Sequence, residues 1–220
     1  GAYATDHSDA SGTLLYDVAH KRWSTEMLNI CHLSMAQMPQ LLESWEHVGT
    51  VAPTVAAELG LPAGVTVCAG AADNAAAAIA AGVMGAGGCN ISLGTSGTIL
   101  MSSERFHADP NNALHAFAHA DGGWYLMGCM LSAASCSQWF MEDILHSPDY
   151  AGEQANICAE ALGQNRVFFL PYLMGERSPI NDTDARGLFI GLSRDTSRAD
   201  MLQAVFEGVA FALRDSLEAA

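Results

Sequence analysis

Gly70-Ala71-Ala72-Asp73-Asn74-Ala75-Ala76-Ala77-Ala78 and, further along, Ser92-Leu93-Gly94-Thr95-Ser96-Gly97-Thr98 are the stretches on which the fold is read. The first follows Val65-Thr66-Val67-Cys68-Ala69, whose β-branched content predicts a buried strand. An Ala-rich helix then runs to about Ala81. Asp73 thus falls where a strand gives way to a helix, and ligand crevices of open α/β sheets form at that edge. The plainer alternative is that Asp73 only caps the helix, a common structural role. In the second stretch, Cys89–Leu93 and Thr98–Met101 read as strands joined by the turn Gly94-Thr95-Ser96-Gly97. Such a turn presents backbone N–H groups and two hydroxyls at one point, as a phosphate requires. An ordinary hairpin turn explains the tetrapeptide as well. Between the stretches, Gly82-Val83-Met84-Gly85-Ala86-Gly87-Gly88 is glycine-dense and marks a domain boundary.

Working outward, Thr13–Tyr16 reads as a short strand, and Ser24 as the cap of a helix through about Cys31. Residues 35–45 read as a short helix or turn, and Thr54–Leu59 as a helix ended by Gly60. Strands are predicted at Leu114–Ala118, Trp124–Met127, Arg166–Tyr172 and Gly187–Leu192, and helices over 131–146 and 152–162. A long helix begins near Arg198 with Thr196 or Ser197 as cap, and Met201, Val205, Val209 and Ala212 recur along one face. The mixed order argues for an α/β fold. Trp23, Trp139 and Met141 are read as core. His115 and His119 alternate along a strand, which sets them ~13 Å apart, too far for one metal ion.

The formal charge is −15, with 24 acidic residues against 9 basic ones, and Lys21 is the only lysine. A nucleic-acid binder needs a basic stripe, which this chain lacks. A nucleotide remains open, because backbone amides hold phosphate without net positive charge. No run is long and apolar enough to span a bilayer, so no membrane partner is expected. Six scattered cysteines without a C-x-x-C pair read as buried reduced thiols, as in a cytoplasmic protein. With no initiator Met and a helix still running at Ala220, the chain reads as an internal piece of a longer protein.

The run A-G-A-A-D-N-A-A-A-A followed by S-L-G-T-S-G-T closely resembles the FGGY carbohydrate kinases. A second signature of that family is met at Gly187, Phe189, Gly191, Leu192, Asp200, Met201, Ala204, Val205, Phe206 and Glu207. Ser8–Gly12, His115–Ala120, Met130–Cys136 and Phe169–Pro179 resemble the members acting on a pentulose. The resemblance implies an actin-like ATPase (ribonuclease H-like) two-domain α/β fold. Residues 1–84 would end the first, sugar-binding domain, and 85–220 would form most of the second, nucleotide-binding one. It implies ATP and Mg2+ and a small sugar substrate, and it leaves a homodimer open. Asp73 would accept the proton of the attacking sugar hydroxyl, and Asn74 would bond a sugar hydroxyl or serve the helix's first turn. Gly94, Thr95 and Ser96 would cradle the phosphates, with Gln138 beside the nucleotide or simply exposed. Glu176 and Arg177 would form a structural ion pair or serve the site. The family's first phosphate loop is not found in these residues, so the piece alone is expected to be inactive. A non-enzymatic, actin-like nucleotide switch is the alternative from a different class.

Overall fold

The structure, a computed structural model, describes residues 2–220. It divides into two compact units. One comprises residues 2–90, 100–108 and 116–126, and the other 91–99, 109–115 and 127–220. A four-stranded sheet, ordered Cys89–Leu93, Gly97–Ser103, Trp124–Met130, His115–Ala118, contributes strand segments to both.

In the first unit, Ala4–Asp6 pairs in parallel with Gln40–Leu42. Its core is Ala10, Tyr16, Trp23, Leu28 and Ala118. Ser24 caps the helix Thr25–Ile30 by accepting from the Met27 amide, as expected. The strand expected at Thr13–Tyr16 begins only at Tyr16, as Tyr16–Asp17 paired antiparallel with Arg22–Trp23; before it Ser11–Thr13 is a 3-10 turn, with Leu14 left-handed at φ 63°. The cause is local: the Thr13 hydroxyl donates to Ala10 O and accepts from Leu15 N, bonds that compete with a ladder. The strand Thr66–Cys68 forms, antiparallel to His47–Thr50, but its residues are exposed rather than buried. A ribbon of only two strands leaves its faces open.

The second unit is built on the helix Arg198–Glu218. Ser197 starts it with a capping box, its hydroxyl accepting from Asp200 N while Asp200 accepts from Ser197 N. Leu202, Ala204 and Val205 pack with Cys136, Phe140, Met141, Val167 and Phe169. The strand Phe168–Leu170 pairs antiparallel with Leu188–Ile190, bringing the Phe169 and Phe189 rings to 4.6 Å. The long helix predicted over 131–146 is broken: an α-segment Ala134–Trp139 passes into a π-turn, Phe140–Ile144. Likewise 152–162 resolves into a helix Tyr150–Gln154 and a 3-10 turn Ala159–Ala161. Cys129 and Cys136 are buried, but Cys31, Cys68, Cys89 and Cys158 are exposed, so the buried-thiol expectation fails at four positions; all six are free.

Most residues of the second signature serve this packing. Gly191 has φ +90° and its backbone passes against Arg166 O, Asp200 completes the cap, and Glu207 accepts from Gly163 N at 2.7 Å. Gly208, the next residue, meets Phe169 O so closely that a Cβ would overlap it. Helix propensity alone makes Gly→Ala favourable by about 1 kcal/mol. Here Gly208→Ala is predicted to lower stability by about 1–3 kcal/mol, the cost of overpacking, read as a fall in the urea midpoint. A rise in midpoint contradicts the close approach.

Candidate functional site

Asp73 opens the helix Asp73–Ala80, and its carboxylate is exposed. The N-cap is Ala72, which makes no side-chain cap bond, and Asp73 is the acidic residue of the helix's first turn. Its Oδ1 accepts from Asn74 N at 2.7 Å and from Asn74 Nδ2 at 3.1 Å. Asn74, the second residue of the helix, therefore orients the neighbouring carboxylate. Among the described residues nothing donates to Asp73 Oδ2.

The peptide before Asp73 is held from a distance in sequence. Ala72 N donates to Ser8 Oγ at 2.9 Å. Ser8 Oγ in turn donates to Asp6 Oδ2, which also accepts from Ser8 N at 2.7 Å. Asp6 is only 3% exposed. Gly70, at φ +84°, donates to Ser44 O at 3.0 Å, and that positive φ is open to glycine without strain. The sequence reading missed Asp6 and Ser44. The signal for Ser8 was present in the Ser8–Gly12 segment but carried no role.

The Gly94-Thr95-Ser96 turn lies in the second unit and is exposed. Its carbonyls are the anchored groups. Ala134 N donates to Gly94 O at 2.9 Å, and Thr95 O accepts from Ala133 N at 2.9 Å, Ser135 N at 3.3 Å and Ser135 Oγ at 2.8 Å. Gly97 packs against Ala133 Cβ and Met130 Cγ so tightly that a Cβ would sit 3.0 Å from each. Among the described residues no acceptor takes the Thr95 and Ser96 amide hydrogens, and neither hydroxyl is bonded. The turn thus offers donors outward while its acceptors are used inward, the polarity an anion needs.

Gln138 is exposed on the helix Ala134–Trp139 that anchors this turn, and its Nε2 lies 3.3 Å from both Glu142 carboxylate oxygens. The ion pair considered for Glu176 and Arg177 is not formed among the described residues. Glu176 is buried and accepts backbone amides, while Arg177 is exposed. His115 lies in the strand expected for it. The next histidine, His119, is buried against Asp121, with Nδ1 3.1 Å from Oδ1, and burial lowers its pKa. Among the described residues no group of three or more His, Cys, Asp or Glu is placed to hold a metal ion. Nor, among them, is any helix long and apolar enough to cross a membrane.

The model of the FGGY family of carbohydrate kinases, C-terminal domain, matches residues 89–220, and its N-terminal counterpart matches residues 1–80. The chain belongs to the FGGY family of carbohydrate kinases, whose fold is the actin-like ATPase fold. It is 44% identical to the xylulose kinase of Escherichia coli (strain K12), over 99% of this chain and 45% of that protein. It is similar, with a TM-score of 0.92 and 42% identity, to the crystal structure of a "xyloylose kinase" from Brucella ovis, covering 100% of this chain and 45% of the other. A gluconate kinase from Lactobacillus acidophilus matches with a TM-score of 0.89 at 27% identity, over 100% of this chain and 45% of its own. The chain thus spans about 45% of the length of these relatives.

Replacing Ser8 by Ala leaves the Ala72 amide without its acceptor and removes one donor from Asp6. Ser8→Ala is predicted to cost about 1–3 kcal/mol of stability, measured by urea unfolding. An unchanged midpoint contradicts this anchoring of the peptide before Asp73.

Proposed function

We propose that this chain supplies the proton acceptor and the phosphate cradle of an ATP-dependent sugar kinase that converts D-xylulose to D-xylulose 5-phosphate. The observation that carries the kinase reading is the Gly94-Thr95-Ser96 turn, with its carbonyls bound and the amides and hydroxyls of Thr95 and Ser96 unclaimed among the described residues. The sugar is assigned from the names of the relatives, xylulose kinases at 32–44% identity over most of this chain. A kinase for another sugar or polyol is the second reading, favoured by the comparable fit to the gluconate kinase.

In this reading Asp73 aligns the attacking hydroxyl and takes its proton late. In a loose phosphoryl-transfer transition state, positioning and charge stabilisation dominate over base strength. Asn74 orients Asp73 and reaches a sugar hydroxyl. The amides of Thr95 and Ser96 meet the β- and γ-phosphate oxygens, and Gln138 flanks the nucleotide. ATP enters as its magnesium complex, so Mg2+ is part of the substrate and travels with the phosphates. Residues 1–84 are assigned to the sugar-binding domain and 85–220 to the nucleotide-binding one, in line with the spans of the two family models. Six free thiols accord with a cytoplasmic location.

Asp73→Ala in the full-length protein is predicted to lower kcat by about 10²–10⁴-fold. The melting temperature and ATP affinity should stay at wild-type values, since the residue is exposed and among the described residues it bonds only Asn74. Steady-state kinetics beside a melting curve check this. Near-normal turnover of the variant overturns the assignment.

A further inference from the structure

Glu176 is a charge in an unfavourable place. It is 2% exposed, its Oε2 has no hydrogen-bond partner among the described residues, and burial pushes its carboxyl pKa up. Isolated buried carboxylates are costly, so a neutral residue would be the easier choice if this position only filled space.

The backbone that carries Glu176 is fixed. Glu176 N donates to Asp182 O at 2.8 Å, and Asp182 N donates to Glu176 O at 3.0 Å. Gly175, at φ +80°, passes so close to Thr183 that a Cβ would lie 2.6 Å from its carbonyl oxygen. Ser178 N donates to Cys129 O at 3.1 Å, tying the loop to the strand Trp124–Met130. From this base Glu176 Oε1 accepts two bonds, from Arg177 N at 2.7 Å and from Leu131 N at 2.9 Å. The second bond matters most. Leu131 directly follows that strand, and soon after it come Ala133, Ala134 and Ser135, whose amides hold the carbonyls of Gly94 and Thr95.

We propose that Glu176 is a positioning residue for the phosphate-binding turn: its Oε1 fixes the Leu131 peptide and so sets the amides at 133–135 that hold Gly94 and Thr95. The proposal rests on the reading of that turn as a phosphate cradle. What it requires is an acceptor at the end of a glutamate-length side chain, not a charge. Glutamine keeps the reach and loses the charge, whereas aspartate keeps the charge and loses the reach.

The test uses the full-length protein, with ADP as probe and steady-state kinetics beside it. Glu176→Asp is expected to weaken ADP binding and raise the KM for ATP by up to about tenfold, as for loss of one hydrogen bond. The KM for the sugar should not change. Glu176→Gln should restore both nucleotide values to within about twofold of wild type. Should the aspartate variant not fold, hydrogen exchange on the wild type decides the matter. ADP should slow exchange at 94–97 and 131–135 together. The proposal is overturned if Glu176→Asp folds and binds ADP normally, if Glu176→Gln is as impaired as Glu176→Asp, or if ADP protects 94–97 alone. A wild-type protein that binds no ADP refutes the kinase reading on which the proposal stands, and that result is distinct from these three.

Discussion

Three backbone amides, of Ala133, Ala134 and Ser135, close on the carbonyl oxygens of Gly94 and Thr95 at 2.9 to 3.3 Å, and much of the second unit depends on that seam. A turn between two strands is normally among the more mobile parts of a sheet. Here its acceptors are bound to the first turn of a helix, whose amides would otherwise lack partners. Two needs are met at once: the helix start is satisfied, and the Thr95 and Ser96 donors of the turn are left for something else. Gly97 shows how closely the seam is packed, since a Cβ there would sit 3.0 Å from Ala133 Cβ and Met130 Cγ. A preorganised set of donors stabilises charge without reorganising when a phosphate arrives.

The first unit solves a similar problem by similar means. Asp73 is exposed and, among the described residues, bonds only Asn74, so the carboxylate depends on the peptide that leads into it. That peptide is held through Ser8, which is held by the buried carboxylate of Asp6. Glu176 and Leu131 repeat the arrangement in the second unit. In each case a buried acid acts at one remove, on backbone rather than on ligand. Such groups carry a desolvation cost, and networks that offset it are fully determined in geometry.

Periodicity made much of the architecture legible. The helix from Arg198 with its Ser197 cap, the helix after Ser24 and the strands on either side of the turn follow from local pattern. The failures share a cause. The helix expected over 131–146 begins late because its leading amides at 133–135 are bound to Gly94 and Thr95, a contact no local window contains. The strand expected at Thr13–Tyr16 starts only at Tyr16, because the Thr13 hydroxyl bonds its own backbone. Four of six cysteines are exposed because burial is a property of packing, not of an apolar run. At the candidate site, Asp73 and the turn were legible as local motifs. Asp6, Ser44 and the role of Glu176 were not, because each acts across the chain. The signature from Gly187 to Glu207, which spoke most strongly for the family, proves mostly a packing signature: a tight glycine, a capping box and a buried helix face.

The central claim, that these elements serve phosphoryl transfer from ATP to a sugar, is tested most directly by ADP release from the full-length protein with xylulose, ribulose, gluconate and glycerol compared side by side. The account predicts sugar-dependent release with the highest kcat/KM on xylulose. Release that no sugar accelerates would contradict it.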